Sequence, residues 1–390
     1  MTTRFGIDRA VVEPPTVLRD ARSIGLVCNQ ASVDASFRHA ADALHGLLGP
    51  RLKALFGPQH GLWSTQQDNM IETGHAVHPR LGIPVFSLYS ETRKPTQRML
   101  AGLDLLVVDL QDVGTRVYTY VWTLLHCMEA CAEARIPVLV LDRPNPLGGH
   151  VAEGPLLDPQ FRSFVGLASI PMRHGLTMAE LARHLQRTHA IEVDLHVLPM
   201  TGWDRAMLWP QTGRAWVPPS PNLPRFEGAL VYPGQVLVEG TQLSEGRGTT
   251  TPFEQFGAPW LDPWRLLEAL PAGATTGCVL RPVAFEPTFQ KHVRTQCGGL
   301  FVHVTDPGAF RSLRLTLTMF RALRELWPAQ FAWLQPPYEY EADKMPIDIL
   351  TGGSEARTWV DAKGSWDRLG ALADAPADWW RTAAPSLLYD

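Results

Sequence analysis

The amino-acid sequence predicts an α/β protein, a doubly wound parallel sheet with a second, smaller α/β domain after it. Three features carry that expectation. Short apolar runs end abruptly in dense polar clusters, strand-like and helix-like segments alternate through the first half, and a proline-rich stretch separates two differently patterned halves.

The runs come in order. Leu26-Val27-Cys28 exits into Asn29-Gln30, and Leu52 to Phe56 exits into Gly57-Pro58-Gln59-His60-Gly61. Ile83 to Leu88 exits into Tyr89-Ser90-Glu91, Leu103 to Val108 into Asp109-Leu110-Gln111-Asp112, and Ile136 to Leu141 into Asp142-Arg143-Pro144-Asn145. Runs this short, uniformly apolar and rich in Val, Leu and Ile suit strands buried on both faces of a parallel sheet. Between them, Pro95 to Gly102 reads as a short helix with proline in its first turn, and Val117 to Arg135 as a long crossover helix. Thr177 to Thr188 opens with Thr177 as N-cap and Glu180 three residues on, a capping box. Val193 to Leu198 alternates like a further strand. Such a βαβ series implies right-handed crossovers. Parallel strands all point one way, so their exits share an edge, and in open α/β sheets that edge binds ligands. Asn29, Gln59, His60, Asp109, Gln111, Asp112, Asp142, Arg143 and Asn145 are therefore expected around one crevice.

The stretch from Leu62 to Gly82 interrupts the alternation and carries Asp68, Asn69, Glu72, His75 and His78. Loops this long are usually functional or disordered, and a place at the crevice edge favours function. Around Trp216 to Arg225 the chain turns proline-rich, so the domain junction is placed there: residues 1–226 form the N-terminal domain and 227–390 the C-terminal α/β domain. The second half is expected to hold strands near 229–232, 277–284 and 299–305 and helices at 263–270 and 309–327. The segment Glu239–Thr249 is too rich in Gly and Thr for a regular element.

Hydrophobic content of 45% and charged content of 19% fit a soluble globular chain with a large core. The net charge of -4 gives no electrostatic case for nucleic acid or an anionic membrane. No apolar run approaches the roughly 20 residues that span a bilayer. Met1 to Ala10 lacks an apolar signal core, so the chain as given is expected in the cytoplasm, or in the periplasm or outside if a signal was removed. The 5 cysteines are scattered, which argues against a disulfide framework, and Cys127 and Cys131 fall on one helix face as buried thiols. Phosphate-loop, dinucleotide, nucleophile-elbow and HExxH motifs are all missing, as is zinc-ligand spacing. Neither a cofactor nor a metal is expected.

What remains is a surplus of carboxylates beside glycine, asparagine and arginine. Asp109 and Asp112 flank Gln111, Glu153 follows the Asp142 cluster, and Glu239, Glu245 and Glu254 accompany the glycine-rich segment. Paired carboxylates are the usual equipment for cleaving a glycosidic bond: one protonates the leaving oxygen, the other stabilises or attacks the anomeric centre. Capping a turn or pairing with a nearby arginine is the alternative for each. Arg116, Arg173 and Arg247 sit beside such clusters, and a guanidinium reads a substrate acid in two-point fashion. Salt bridges within the loops explain them almost as well. Among the three, Arg173 is favoured as the reader of a substrate acid, because it follows a glycine-rich loop. The 13 tryptophans are mostly expected to pack, with some free to stack on sugar faces.

Eight strings in order sharpen this. Phe56-Gly-Pro-Gln-His-Gly61, Asp109-Leu-Gln-Asp-Val-Gly-Thr-Arg-Val-Tyr-Thr-Tyr120, Leu141-Asp-Arg-Pro-Asn-Pro146, Glu153-Gly-Pro155, Ser163-Phe-Val-Gly166, Pro171-Met-Arg-His-Gly-Leu-Thr177, Pro219-Ser-Pro-Asn222 and Glu239-Gly-Thr-Gln-Leu-Ser-Glu-Gly-Arg-Gly-Thr249 resemble the exo-β-N-acetylmuramidase family called NamZ. The resemblance implies a Rossmann-like first domain, an active site in the cleft between the domains, and release of N-acetylmuramic acid from the non-reducing ends of peptidoglycan fragments. The expected partner is thus an amino sugar, muropeptide or other small oligosaccharide. The family's commoner string is Gly-Pro-Glu-His-Gly, whose glutamate is the candidate acid; here that position is Gln59. An amide hydrogen-bonds but delivers no proton at neutral pH. Glu72, or Asp68, is expected to take the vacated role, with Asp109, Asp112, Glu239 and Glu245 as the other candidate catalytic carboxylates. Gln59, His60, Arg116, Tyr118, Asn145, Glu153, Arg173, His174, Asn222 and Arg247 are the expected substrate-binding set. Binding without turnover, or cleavage of a different glycoside, are the alternatives that Gln59 leaves open.

Overall fold

The computed structural model describes residues 3–67 and 71–390, so Asp68 lies outside the described residues. The main sheet has seven strands: β1 (Ile24–Cys28), β2 (Leu52–Gly57), β3 (Ala76–Val77), β4 (Pro84–Ser87), β5 (Leu105–Asp109), β6 (Val138–Leu141) and β7 (Leu195–Leu198). Their order is β3-β4-β2-β1-β5-β6-β7. Every pair is parallel except the short edge strand β3 against β4. The central strands are buried on both faces, as their uniform hydrophobicity requires. In β5, Leu105 and Val107 face one apolar layer and Leu106 and Val108 the other. Each such fully buried side chain contributes roughly 1.5–3 kcal/mol relative to exposure.

The crossovers are helical where the sequence predicts them. The long helix runs Tyr120–Ala134 and ends on Arg135 in the left-handed region. The capping box at Thr177 and Glu180 opens the helix Met178–Thr188. From β1 the chain steps outward to β2, then returns to the other side of β1 as β5, so strand order reverses between β1 and β5. That switch point is plugged rather than open. Ser32 Oγ donates to the Asp109 carbonyl at 2.5 Å, and Asn29 Nδ2 donates to the Pro219 carbonyl at 2.9 Å.

The second half holds a three-stranded antiparallel sheet, β8 (Gln255–Ala258), β9 (Cys278–Phe285) and β10 (Cys297–Val304), in the order β8-β10-β9. The helices Pro263–Ala269 and Ser312–Leu326 accompany it. The strand expected at 229–232 is instead part of a helix, Phe226–Gln235. A short apolar run such as Ala229 to Tyr232 does not distinguish a buried strand from a buried helix. The junction at 226/227 does not keep the two halves apart in space. The C-terminal residues cross back onto the first: Tyr389 Oη donates to Asp142 at 2.5 Å, and Trp379 packs with Val121, Trp122 and Leu181. All five cysteines are buried free thiols.

Candidate active site

A cleft lies between the two halves. From the first half come Gln59 and His60, at the exit of β2, and Thr119 and Tyr120, at the start of the long helix. From the second come Tyr232, Glu239, Arg247 and Phe253, and from a distant loop Tyr338 and Glu339. Ser220 and Asn222 of the proline-rich junction close one end. The open space among these groups is about 40 Å³. That is room for a few water molecules, at roughly 10–15 Å³ each.

The walls are held by directed hydrogen bonds. Gln59 Oε1 accepts from Thr119 Oγ1 at 2.6 Å, and its Nε2 donates to Tyr89 Oη at 3.3 Å. His60 takes a left-handed φ of 69°, and its Nδ1 donates to the Gln66 carbonyl at 2.7 Å. Burial, helped by nearby Arg247, lowers its imidazole to about 4. Glu239 receives two donors: Arg247 Nη2 at 2.6 Å and Tyr338 Oη at 2.7 Å. Arg247 also meets Glu245, Nε to Oε1, at 3.2 Å, and lies 5.2 Å over the Phe253 ring. Asn222 Nδ2 donates to the Gln67 carbonyl at 2.7 Å.

Glu339 differs from all of these. It is 3% exposed, and its buried Oε2 has no hydrogen-bond partner. Burial first, then the like charge of Glu239, raises its carboxyl to about 7, against the lowering pull of Arg247 and Arg93. No motif in the sequence marks this residue. The one signal near it is the stiff pair Pro336-Pro337, followed by alternating Tyr and Glu.

Of the expected carboxylates, Glu239 alone lines the cleft. Glu72 is corrected: its side chain is 54% exposed, 3.7 Å from Arg93, and borders a separate outer groove with Trp63 and Val77. Asp109 is corrected too, since Arg143 grips both its oxygens in the interior, at 2.5 and 2.9 Å. Asp112 lies off the cleft, accepting from the Gly114 amide at 2.7 Å and standing 3.3 Å from His174 Nε2. Glu245 sits behind Arg247. Its burial would raise its pKa, but Lys291 at 2.9 Å and Arg247 outweigh that and hold it below the usual carboxylate value.

The expected binding residues divide likewise. Gln59, His60, Tyr118, Asn222 and Arg247 line the cleft. Arg116 does not: it donates to the carbonyls of Pro155, Ile170 and Leu350. Arg173 pairs with Glu153 at 3.0 Å and donates to the Leu147 carbonyl, while Glu153 also accepts from the Leu313 amide. Asn145 ties Leu147 to Leu176, and His174 Nδ1 accepts from the Leu176 amide. The physical reason is shared. Loops at strand exits leave carbonyls without ladder partners, and buried polar groups must be satisfied. Long buried arginines supply those donors, so Arg116 and Arg173 knit the loops instead of reading a ligand. Nor do tryptophans line the cleft among the described residues; its rings are Tyr, Phe and the imidazole of His60. Among the described residues, no group of three or more His, Cys, Asp or Glu could hold a metal ion.

The family profile for the exo-beta-N-acetylmuramidase NamZ N-terminal region matches residues 24–227, and that for its C-terminal region matches 230–389. The chain belongs to the NamZ family. The peptidoglycan beta-N-acetylmuramidase NamZ of Bacillus subtilis strain 168 is 43% identical over 356 residues, covering 91% of this chain and 84% of that relative. A DUF1343 family crystal structure from Bacteroides fragilis is similar at a TM-score of 0.87 and 31% identity, covering 100% of this chain and 99% of that one. A second from the same organism gives 0.75 and 25%, with the same coverage. The cleft of this NamZ-family chain therefore carries an amide at the glutamine of Gly57-Pro-Gln-His-Gly61 and two glutamates on the opposite wall.

Proposed function

We propose that the chain is an exo-acting glycoside hydrolase that releases N-acetylmuramic acid from the non-reducing ends of peptidoglycan fragments. One observation carries this reading beyond family membership. The cleft brings together two glutamates in opposite environments, Glu239 held by Arg247 and Tyr338, and Glu339 without a partner on Oε2. A carboxyl able to hold a proton, beside a second carboxylate, is what acid-assisted cleavage of a glycosidic bond needs. Gln59 favours binding without turnover, but replacing one carboxyl in this cleft leaves two others. Arg247, rather than Arg173, is the arginine that lines the ligand space, where it is shared with Glu239 and Glu245.

The test is direct. The purified chain is incubated with β-1,4-linked N-acetylmuramyl-N-acetylglucosamine and with the disaccharide of reversed order. Release of free muramic sugar from the first alone is expected. Equal cleavage of both, or binding of the first with no turnover, would overturn the proposal.

A further inference from the structure

The geometry points to Glu339 as the general acid, the group that gives its proton to the glycosidic oxygen in place of the residue at Gln59. This rests on the hydrolase reading above and names the residue that performs its first step.

The backbone aims Glu339 at the cleft. Tyr338 and Glu341 bond to each other through N–H and C=O at 2.9 and 3.0 Å, closing a two-residue turn. Its central residues, Glu339 and Tyr340, have φ of 45° and 68°. Such turns favour Asn and Gly, and ordinary residues are held at positive φ only where the surroundings impose it. The consequence is a split in direction: Glu339 is buried among the cleft residues while Tyr340 is 53% exposed. Tyr340 lies against Arg93, whose guanidinium sits 4.8 Å from its ring and 4.1 Å from that of Tyr89. The turn is thus seated on the first half of the chain.

The charged and titratable groups around the carboxyl are Glu239, Arg247, Arg93 and the phenols of Tyr89, Tyr232 and Tyr338. None of the neighbours suits the role. His60, at about 4, is neutral near pH 7 and has no acidic proton to give. Burial holds the phenols of Tyr118, Tyr232 and Tyr338 well above their usual range. The Glu239 oxygens already accept from Arg247 and Tyr338, whereas Glu339 Oε2 is unpartnered, and at about 7 about half of the Glu339 carboxyls carry a proton at neutrality. In the step, the Glu339 proton passes to the glycosidic oxygen as the bond from C1 breaks and its electron pair stays on that oxygen. Over the full cycle water supplies the hydroxyl on C1 and the proton that restores the carboxyl.

The experiment compares two substrates differing in their need for an acid: the natural disaccharide and 2,4-dinitrophenyl β-N-acetylmuramide, whose leaving group departs unprotonated. Glu339→Gln should lower kcat on the disaccharide by about 10² to 10⁴-fold, as removal of a positioned acid does. On the aryl glycoside it should lose less than about tenfold, with the thermal midpoint and muramic acid binding unchanged. Wild type supplies a second measurement that needs no variant. Its kcat on the disaccharide should fall as pH rises through about 7, because the acid must be protonated, while kcat on the aryl glycoside keeps no such limb. Equal losses on both substrates, or the same limb on both, would overturn the assignment of Glu339 while leaving the hydrolase reading intact. A folded wild type inactive on both muramides would overturn both.

Discussion

Two sets of buried carboxylates lie within this chain, and they do opposite work. Below the strand exits, Asp109 with Arg143, Glu153 with Arg173 and Glu180 with Arg205 form closed ion pairs. Their arginines also bind loop carbonyls, such as those of Val33, Leu147 and Gly149. On the cleft wall, Glu239 has its partners but Glu339 keeps an oxygen unmatched. An acid matched by an arginine below the strand exits is a fastener. Glu339 combines an unmatched oxygen with a place on the cleft wall, so its proton is available to a ligand. Proximity to a sheet edge does not separate the two; partners and cleft position together do.

The largest effect belongs to the fasteners. Arg173→Ala strands Glu153 as an unpaired buried charge, which typically costs about 3–5 kcal/mol. Denaturant unfolding should show that loss, with turnover per folded molecule retained. A selective fall in muramic acid affinity at unchanged stability would break the division and return Arg173 to the ligand. Next comes Glu239→Gln. Losing a charge-assisted bond costs about 1.5–3 kcal/mol, so kcat/KM should fall about tenfold to a hundredfold. The like charge of Glu239 is one cause of the raised Glu339 carboxyl, so its removal lowers that pKa. The basic limb of the kcat profile should therefore move to lower pH; a move to higher pH would contradict the coupling of the pair.

Smaller effects sharpen the same contrast. Gln59→Glu should change kcat on the disaccharide by less than about tenfold, since positioned acids contribute about 10² to 10⁴-fold and Glu339 already supplies one. A hundredfold gain would instead locate the missing acid at residue 59. Glu72→Gln should be silent in turnover and within about 0.5 kcal/mol in unfolding, as surface changes usually are.

The sheet was legible because its physics is local. Runs such as Leu105 to Val108, apolar at every position, have one good solution, a strand covered on both faces. The capping box at Thr177 was legible for the same reason. Asp109 and Arg173 lie off the cleft where they were expected, because a polar residue after an apolar run looks the same whether it meets a ligand or an ion-pair partner; only the partner distinguishes them, and the partner is remote in sequence. Arg116 reaches Leu350 in this way. Glu339 was invisible for a related reason. Its environment is made by Glu239, Arg247 and Arg93, and its orientation by a turn that Glu-Tyr does not advertise. Asn222, expected from its string Pro219-Ser-Pro-Asn, does line the cleft.

The seat of Tyr340 on Arg93 and Tyr89 has a consequence for Glu339. The two residues are the centre of one tight turn, so a change that shifts Tyr340 from Arg93 and Tyr89 also shifts the carboxyl relative to Glu239 and Arg247. The proton donor on one half of the chain is thus held in register by aromatic and cationic contacts on the other.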